Sequence, residues 1–250
     1  MNVLALAQRT HLLIGLGSRG NTAKPGTVPT ALTGQTDELA ELVEWILMAL
    51  TNFQTMFKWG WLIRQGTLAF ASGTATKAAS TIVEPAGITA GYRDWIPFKQ
   101  GGRRYVLRYL TADGPTSTNI PVYFMEYADF RGLRDRSPVA TGAPMYFTIH
   151  PSQLWEVYPT PDANYTLKLD YLCAPKIYTT SDGTTKIEDY PGAANSAAGL
   201  PVEFHEAIAW LAIRYWAESR GKLDTFQIAE RRFDELTRPL KARYLPTARI

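Results

Sequence analysis

The sequence has a single cysteine, Cys173, and only three histidines among 250 residues. A lone cysteine excludes a disulfide within the chain and is typical of proteins that fold inside the cell. One cysteine with scattered histidines also lacks the ligand spacing of a zinc site. We therefore expect no metal and no cofactor.

Long hydrophobic runs are missing as well. No stretch approaches the roughly 18 apolar residues that a membrane-spanning helix needs. The apolar segment 2–15 is interrupted by Gln8, Arg9 and His11 and has no basic segment before it, so it does not resemble a secretion signal. These features predict synthesis in the cytoplasm and no membrane partner.

The chain also has little excess charge of either sign. Its formal net charge is +3, too small to argue by itself for nucleic-acid binding. Hydrophobic residues make up 46% and charged residues 20%, which indicates a folded chain with a real core. The length fits one domain, or one domain that carries a large insertion.

Catalytic motifs are scarce. The segment 15–20 matches the letters of a dinucleotide fingerprint, but it follows a predicted helix rather than a strand. His205 and Glu206 lack the second histidine, at helical spacing, of a zinc protease, so His205 is interpreted as a helix-start residue. We predict that the chain is not an enzyme, with a small hydrolase using His205 and Glu206 as a hypothesis to test.

Apolar residues recur at helical spacing near both ends of the chain. They predict helices at 3–16, 37–57 and 223–240, and one that opens at Leu200-Pro201 and ends at Gly221. Between them, a two-residue period predicts strands, with a short helix near 126–135. The hairpin 145–149/154–158 and the strand 164–174 are predicted to form an antiparallel meander with one buried face.

The element order predicts an α+β fold, in which a helix bundle carries an inserted antiparallel β domain. The bundle would comprise residues 1–64 and 200–243, and the β-rich insertion residues 65–199. Residues 244–250 would form a short basic, aliphatic tail.

The last helix carries apolar residues at spacings of three and four. This pattern is typical of a seam that contacts another helix, either within the bundle or in a neighbouring subunit. The seam residues are Phe226, Ala229, Phe233, Leu236 and Leu240.

The 30 aromatic residues need a separate explanation. Trp59 and Trp61 follow a predicted helix beside Gly60 and are interpreted as packing residues. Trp95, Tyr123, Tyr158 and Tyr190 could instead line a sugar-binding groove. A carbohydrate-binding or tail-associated lectin-like module that uses Trp95 and Tyr158 is therefore the alternative function.

Four segments together resemble the head-to-tail adaptor, or connector, proteins of tailed bacteriophages, including the tail-tubular gatekeeper type. They are Leu39–Phe57 with Trp59 and Trp61, Tyr127-Ala128-Asp129-Phe130-Arg131 with Gly142–Tyr146, Leu154–Tyr171, and the helix that opens at Leu200–Ile208. Their order is more specific than any one of them. The long segments 1–34 and 176–199 depart from the family pattern.

The resemblance implies a non-catalytic structural protein of the virion, located at the head-to-tail interface. Such proteins form a homo-oligomeric ring, usually of twelve copies, below the portal vertex. One side docks on the portal protein, the other receives a tail, nozzle or stopper protein, and DNA passes through the channel without sequence specificity. We expect the C-terminal residues to dock on the portal, namely Arg243, Tyr244, Leu245, Pro246, Arg249 and Ile250.

Overall fold

A computed structural model describes residues 1–17, 29–35, 37–83, 91–114, 119–136, 140–175, 177, 179–182 and 202–245. The chain divides into two compact units. Met1–Trp61 and Pro175–Ile250 form a first, helical unit, and Leu62–Ala174 form a second unit that contains the sheet. The fold is α+β, with terminal helices and a central, mostly antiparallel sheet.

The first unit begins with two helices close to their predicted positions. Helix α1 spans Val3–Gly17, and the side chain of Asn2 accepts a hydrogen bond from the backbone N–H of Ala5 (2.7 Å), which caps its first turn. Helix α2 spans Asp37–Met56. It buries one apolar stripe at helical spacing, formed by Leu42, Val43, Ile46, Leu50 and Phe53.

Two further helices lie in the described part of this unit. A 3₁₀ turn, Val202–Phe204, precedes helix α4 (His205–Ser219), so the α-helix begins later than the predicted Leu200-Pro201. Gly221, at a φ of 63°, ends it as expected. Helix α5 spans Leu223–Tyr244, four residues beyond the predicted end at Leu240. Helix α4 packs against α1, α2 and α5.

Within its described residues, the second unit contains nine strands and one α-helix. The strands are β1 (Ile63–Phe70), β2 (Thr76–Ala78), β3 (Tyr92–Ile96), β4 (Phe98–Gln100), β5 (Arg103–Leu110), β6 (Ile120–Phe124), β7 (Tyr146–Ile149), β8 (Leu154–Tyr158) and β9 (Tyr165–Cys173). The helix α3 spans Tyr127–Arg136, close to the predicted short helix.

The sheet order corrects the predicted meander. The strands follow the path β1-β9-β5-β6-β7-β8-β2, with β3 also paired to β9 and β4 to β5. Strands β7 and β8 form the predicted antiparallel hairpin, but β9 pairs with β1, β3 and β5 rather than with β8. Strands β6 and β7 are parallel, so the sheet is not purely antiparallel. Local periodicity locates strands but does not choose their partners.

The prediction of one buried face for β9 is also wrong. Leu167, Leu169 and Tyr171 are buried on one face, as predicted, but Thr166 and Leu172 on the opposite face are buried too. The alternation of apolar and polar residues along β9 therefore did not predict the burial of its second face.

An aromatic core fills the side of the sheet that carries Trp95, Phe147 and Trp155. The rings of Phe147 and Trp155 stack with centroids 5.1 Å apart, and Trp95 meets Phe147 edge-on at 5.0 Å. Gly66 lies where a Cβ atom would come within 2.5 Å of Ile82 Cγ2 and 2.9 Å of Tyr171 Cε1. The core is therefore closely packed at Gly66.

Candidate docking site at the end of the last helix

The C-terminal end of α5 lies beside an aromatic cluster formed by Phe53, Phe57, Trp59 and Phe204. Trp59 is fully buried, stacks on Phe53 at 5.1 Å and meets Phe204 at 5.2 Å. Its indole N–H donates a hydrogen bond to the backbone carbonyl of Phe53 (2.8 Å). Trp59 is thus a packing residue, because its ring is enclosed and its polar atom is satisfied.

Tyr244 attaches the end of α5 to this cluster. Its ring lies 5.1 Å from that of Phe204, and its hydroxyl donates a hydrogen bond to Glu203 Oε2 (2.9 Å). Arg243 Nη1 contacts the other oxygen of the same carboxylate at 2.8 Å. Glu203 therefore binds two consecutive residues of α5.

Two further contacts hold the same helix end. The ammonium group of Lys241 lies 4.6 Å from the centroid of the Phe57 ring, within cation–π range. A Cβ atom at Gly60 would come within 2.8 Å of the Tyr244 carbonyl oxygen, so this backbone approach requires glycine.

The pKa of Tyr244 is raised from its ordinary value. Partial burial of the phenol is the largest cause, and the hydrogen bond to Glu203 acts in the same direction. Tyr244 is therefore a neutral donor at physiological pH. The Glu203 carboxylate accepts one bond from this neutral group and one from the Arg243 cation.

The predicted docking residues thus fall into two groups. Arg243 and Tyr244 lie in α5 and make contacts within the unit, and Leu245 follows directly at the C-cap. Pro246, Arg249 and Ile250 lie outside the described residues. The sequence predicted that the last helix ends at Leu240, close to Pro239, and Tyr244 was therefore assigned to the tail. Its contact with Glu203 spans 41 positions, and local spacing does not reveal such a contact.

Some residues of the predicted seam of α5 are buried, and others are only half-buried. Phe233 is 5% exposed and meets Phe53 of α2 edge-on at 6.2 Å, and Leu240 is also buried. Phe226 and Leu236 are half-buried, and the Arg214 guanidinium lies 5.6 Å from the Phe226 ring. The buried part of the seam therefore faces other helices of the same chain.

His205 and Glu206, the pair proposed for hydrolysis, are not arranged as an open catalytic site. His205 is 2% exposed and is the first residue of α4, as its helix-start interpretation expects. Glu206 faces Arg9 of α1, with 3.3 Å between Oε1 and Nη2. The histidine is thus enclosed rather than open to a substrate.

The aromatic residues proposed for sugar binding differ in exposure, and Tyr123 is half-buried. Trp95 is 7% exposed and packs against Phe124, Phe147 and Trp155 in the core of the second unit. Tyr158 is half-buried and meets Phe130 of α3 edge-on. Tyr190 lies outside the described residues. Trp95 therefore offers no open ring face for a sugar to stack on.

The described part of the chain contains neither a metal-ligand cluster nor a membrane-spanning helix. Within it, no cluster of three or more His, Cys, Asp or Glu side chains is arranged to hold a metal ion. None of its helices is long and apolar enough to cross a membrane.

Comparison with known proteins places the chain in a class. The family model of the SU10 adaptor protein matches residues 1–249. Since the match extends over almost the whole chain, the chain belongs to this family of phage head-to-tail adaptors. No curated protein matches the chain significantly. The chain is thus a structural adaptor of a phage virion.

Proposed function

We propose that the chain is one subunit of a ring, of twelve copies, that joins the portal vertex of a phage head to the tail. Family membership over residues 1–249 is the observation that carries this proposal. The terminal helices act as the bundle of the subunit and the β-rich unit as its insertion. One side of the ring docks on the portal protein, and the other receives a tail, nozzle or stopper protein.

DNA passes through the channel of this ring without sequence specificity. The net charge of +3 on 250 residues supports this part of the proposal. A strongly basic subunit would bind the phosphate backbone tightly and oppose sliding. A nearly balanced subunit permits passage.

The C-terminal tail docks on the portal. It contains Arg249 and the apolar residues Leu245, Pro246 and Ile250, and has no acidic residue. Such a segment gains apolar and charged contacts as it orders in a groove of a partner. The helix end before it is held by Glu203, so the tail starts from a fixed point.

The test is assembly with the portal protein of the same phage. The purified chain is mixed with portal protein. Native mass spectrometry then gives the number of adaptor copies in each complex, and electron microscopy shows the shape of the complex. We expect a ring of adaptor copies on one face of the portal. A chain that stays monomeric and unbound in the presence of portal would overturn the proposal.

A further inference from the structure

Four aromatic side chains form a continuous row across neighbouring strands of the second unit. Phe98 is in register with Tyr105, Tyr105 with Tyr123, and Tyr123 with Tyr146. Residues in register lie on the same face of a sheet, and adjacent strands are about 4.8 Å apart, so the row is roughly 14 Å long. We call Phe98, Tyr105, Tyr123 and Tyr146 the aromatic row.

The aromatic row is partly open to solvent. Each of its members is half-buried, whereas Tyr158, the next residue in register, is met by Phe130 of α3. Helix α3 therefore contacts the sheet at the Tyr146 end of the row, where it also packs against β7. Half-buried Tyr and Phe side chains beside arginine are typical of protein interfaces.

The β4–β5 hairpin adds positive charge at one end of the row. Residues 98–108 contain Lys99, Arg103, Arg104 and Arg108 and no acidic residue. Arg104 pairs with Glu126, but Lys99 and Arg103 are exposed and form no ion pair with the part of the chain that the structure describes. The Arg103 guanidinium lies 5.5 Å from the Tyr123 centroid. The hairpin therefore favours an acidic partner.

Ring geometry favours a protein over a sugar or a nucleic acid. The planes of Phe98 and Tyr105 are tilted by 37°, and those of Tyr105 and Tyr123 by 59°. Stacked sugars and bases need open ring faces, but Arg103 already lies over Tyr123. Tilted rings that present their edges fit side chains of a protein surface instead.

Helix α2 offers a surface of matching chemistry. Its sequence, Asp37–Met56, contains four acidic residues and no basic one. Glu44 is exposed and forms no ion pair with any residue the structure describes, and Met48, one turn later, is 46% exposed. Glu44 and Met48 lie on the same face of the helix. A carboxylate next to a thioether complements a basic hairpin next to aromatic rings.

We infer that the aromatic row and β4–β5 hairpin of one copy bind the Glu44–Met48 face of α2 in the next copy. This contact joins two different surfaces, so it is heterologous and repeats from copy to copy, as a closed ring requires. The inference rests on the proposed ring and deepens it by naming the two surfaces through which subunits associate.

Charge-reversal substitutions test the proposed contact between the hairpin and α2. Association of the full chain is measured by analytical ultracentrifugation over a range of concentrations. We expect Lys99→Glu with Arg103→Glu to weaken association at least about tenfold, because like charges then face each other, and Glu44→Lys to weaken it in the same way. Combining all three substitutions should restore association towards the wild-type value, and higher salt should reduce the effects.

Two control variants carry matched charge changes elsewhere. Lys77→Glu with Arg136→Glu changes the charge of the second unit at two positions outside the row and the hairpin, and Glu230→Lys changes an exposed position on α5. Both should associate like the wild type. Circular dichroism checks that every variant keeps its fold.

A cysteine cross-link tests proximity directly, since the native Cys173 is buried. Mixing Lys99→Cys protein with Glu44→Cys protein under mild oxidation should give a covalent pair containing one copy of each. Neither variant alone should give that pair. Its absence, together with association that charge reversal leaves unchanged, would overturn the inference.

The outcomes separate this inference from the proposed function. A ring that forms on the portal but is insensitive to these charges contradicts only the inference. A chain that associates neither alone nor with portal contradicts both. Loss of duplex-DNA binding in Lys99→Glu with Arg103→Glu, with association unchanged, would make the hairpin a DNA contact instead.

Discussion

Glu203 connects two parts of the chain that are far apart in sequence. Its carboxylate accepts a hydrogen bond from the Tyr244 hydroxyl and contacts the Arg243 guanidinium. The Arg243 and Glu203 side chains are 66% and 45% exposed, so the ion pair by itself stabilises the fold little. Together with the Tyr244 hydrogen bond, it holds the end of α5 beside Glu203.

Gly66 illustrates how tightly the sheet is packed at the scale of one residue. Gly66→Ala places a methyl group against Ile82 and Tyr171, and we expect it to lower the free energy of unfolding by about 1–3 kcal/mol. Urea denaturation measures this change.

The matched control is Gly132→Ala in helix α3. A Cβ atom at Gly132 would meet no heavy atom within 4 Å, and alanine favours a helix. We expect Gly132→Ala to be neutral or to stabilise by up to about 1 kcal/mol. If Gly66→Ala is as stable as the wild type, the side chains around Gly66 can move to accommodate the methyl group, which would contradict the prediction.

At the scale of elements, the amphipathic pattern predicted the helices well, because burial of one stripe is a local signal. Helices α1 and α2 begin at their predicted residues. The partners of β9 could not be predicted, since its pairing with β1 joins residues about 100 positions apart, such as Gly66 and Leu169. The aromatic row was missed for the same reason: Tyr105, Tyr123 and Tyr146 become neighbours only through register.

We expect two C-terminal truncations, one on each side of the end of α5, to have different effects. Removing residues 246–250 should leave the helical unit intact and weaken binding to portal. Removing residues 244–250 should also lower stability, because the Tyr244 ring packs on Phe204 and its hydroxyl binds Glu203. Thermal melting and portal pull-down measure the two effects. Normal portal binding by the shorter truncation would exclude the tail as a docking segment.

Phe233 tests the role of the α5 seam. Phe233→Asp buries an unpaired charge against Phe53, so we expect loss of more than about 3 kcal/mol and an unfolded helical unit. Phe233→Leu is the control and should keep the fold with a smaller loss. Circular dichroism measures both variants. A helical, soluble Phe233→Asp monomer would instead place the seam between subunits.

On the scale of the whole molecule, the chain combines a helical unit and a sheet unit, and it belongs to a family of phage head-to-tail adaptors. The resemblance to connector proteins, over about residues 40–215, was confirmed at the level of the family. The ring, its copy number and its docking faces remain predictions, because a symmetric assembly depends on contacts between copies.

Electron microscopy of the chain mixed with its portal protein tests the central claim most directly. We predict a single closed ring of adaptor copies, seated coaxially on one face of the portal with an open channel along the axis. Portal particles that carry no added density, with the chain remaining monomeric in the same mixture, would contradict the account.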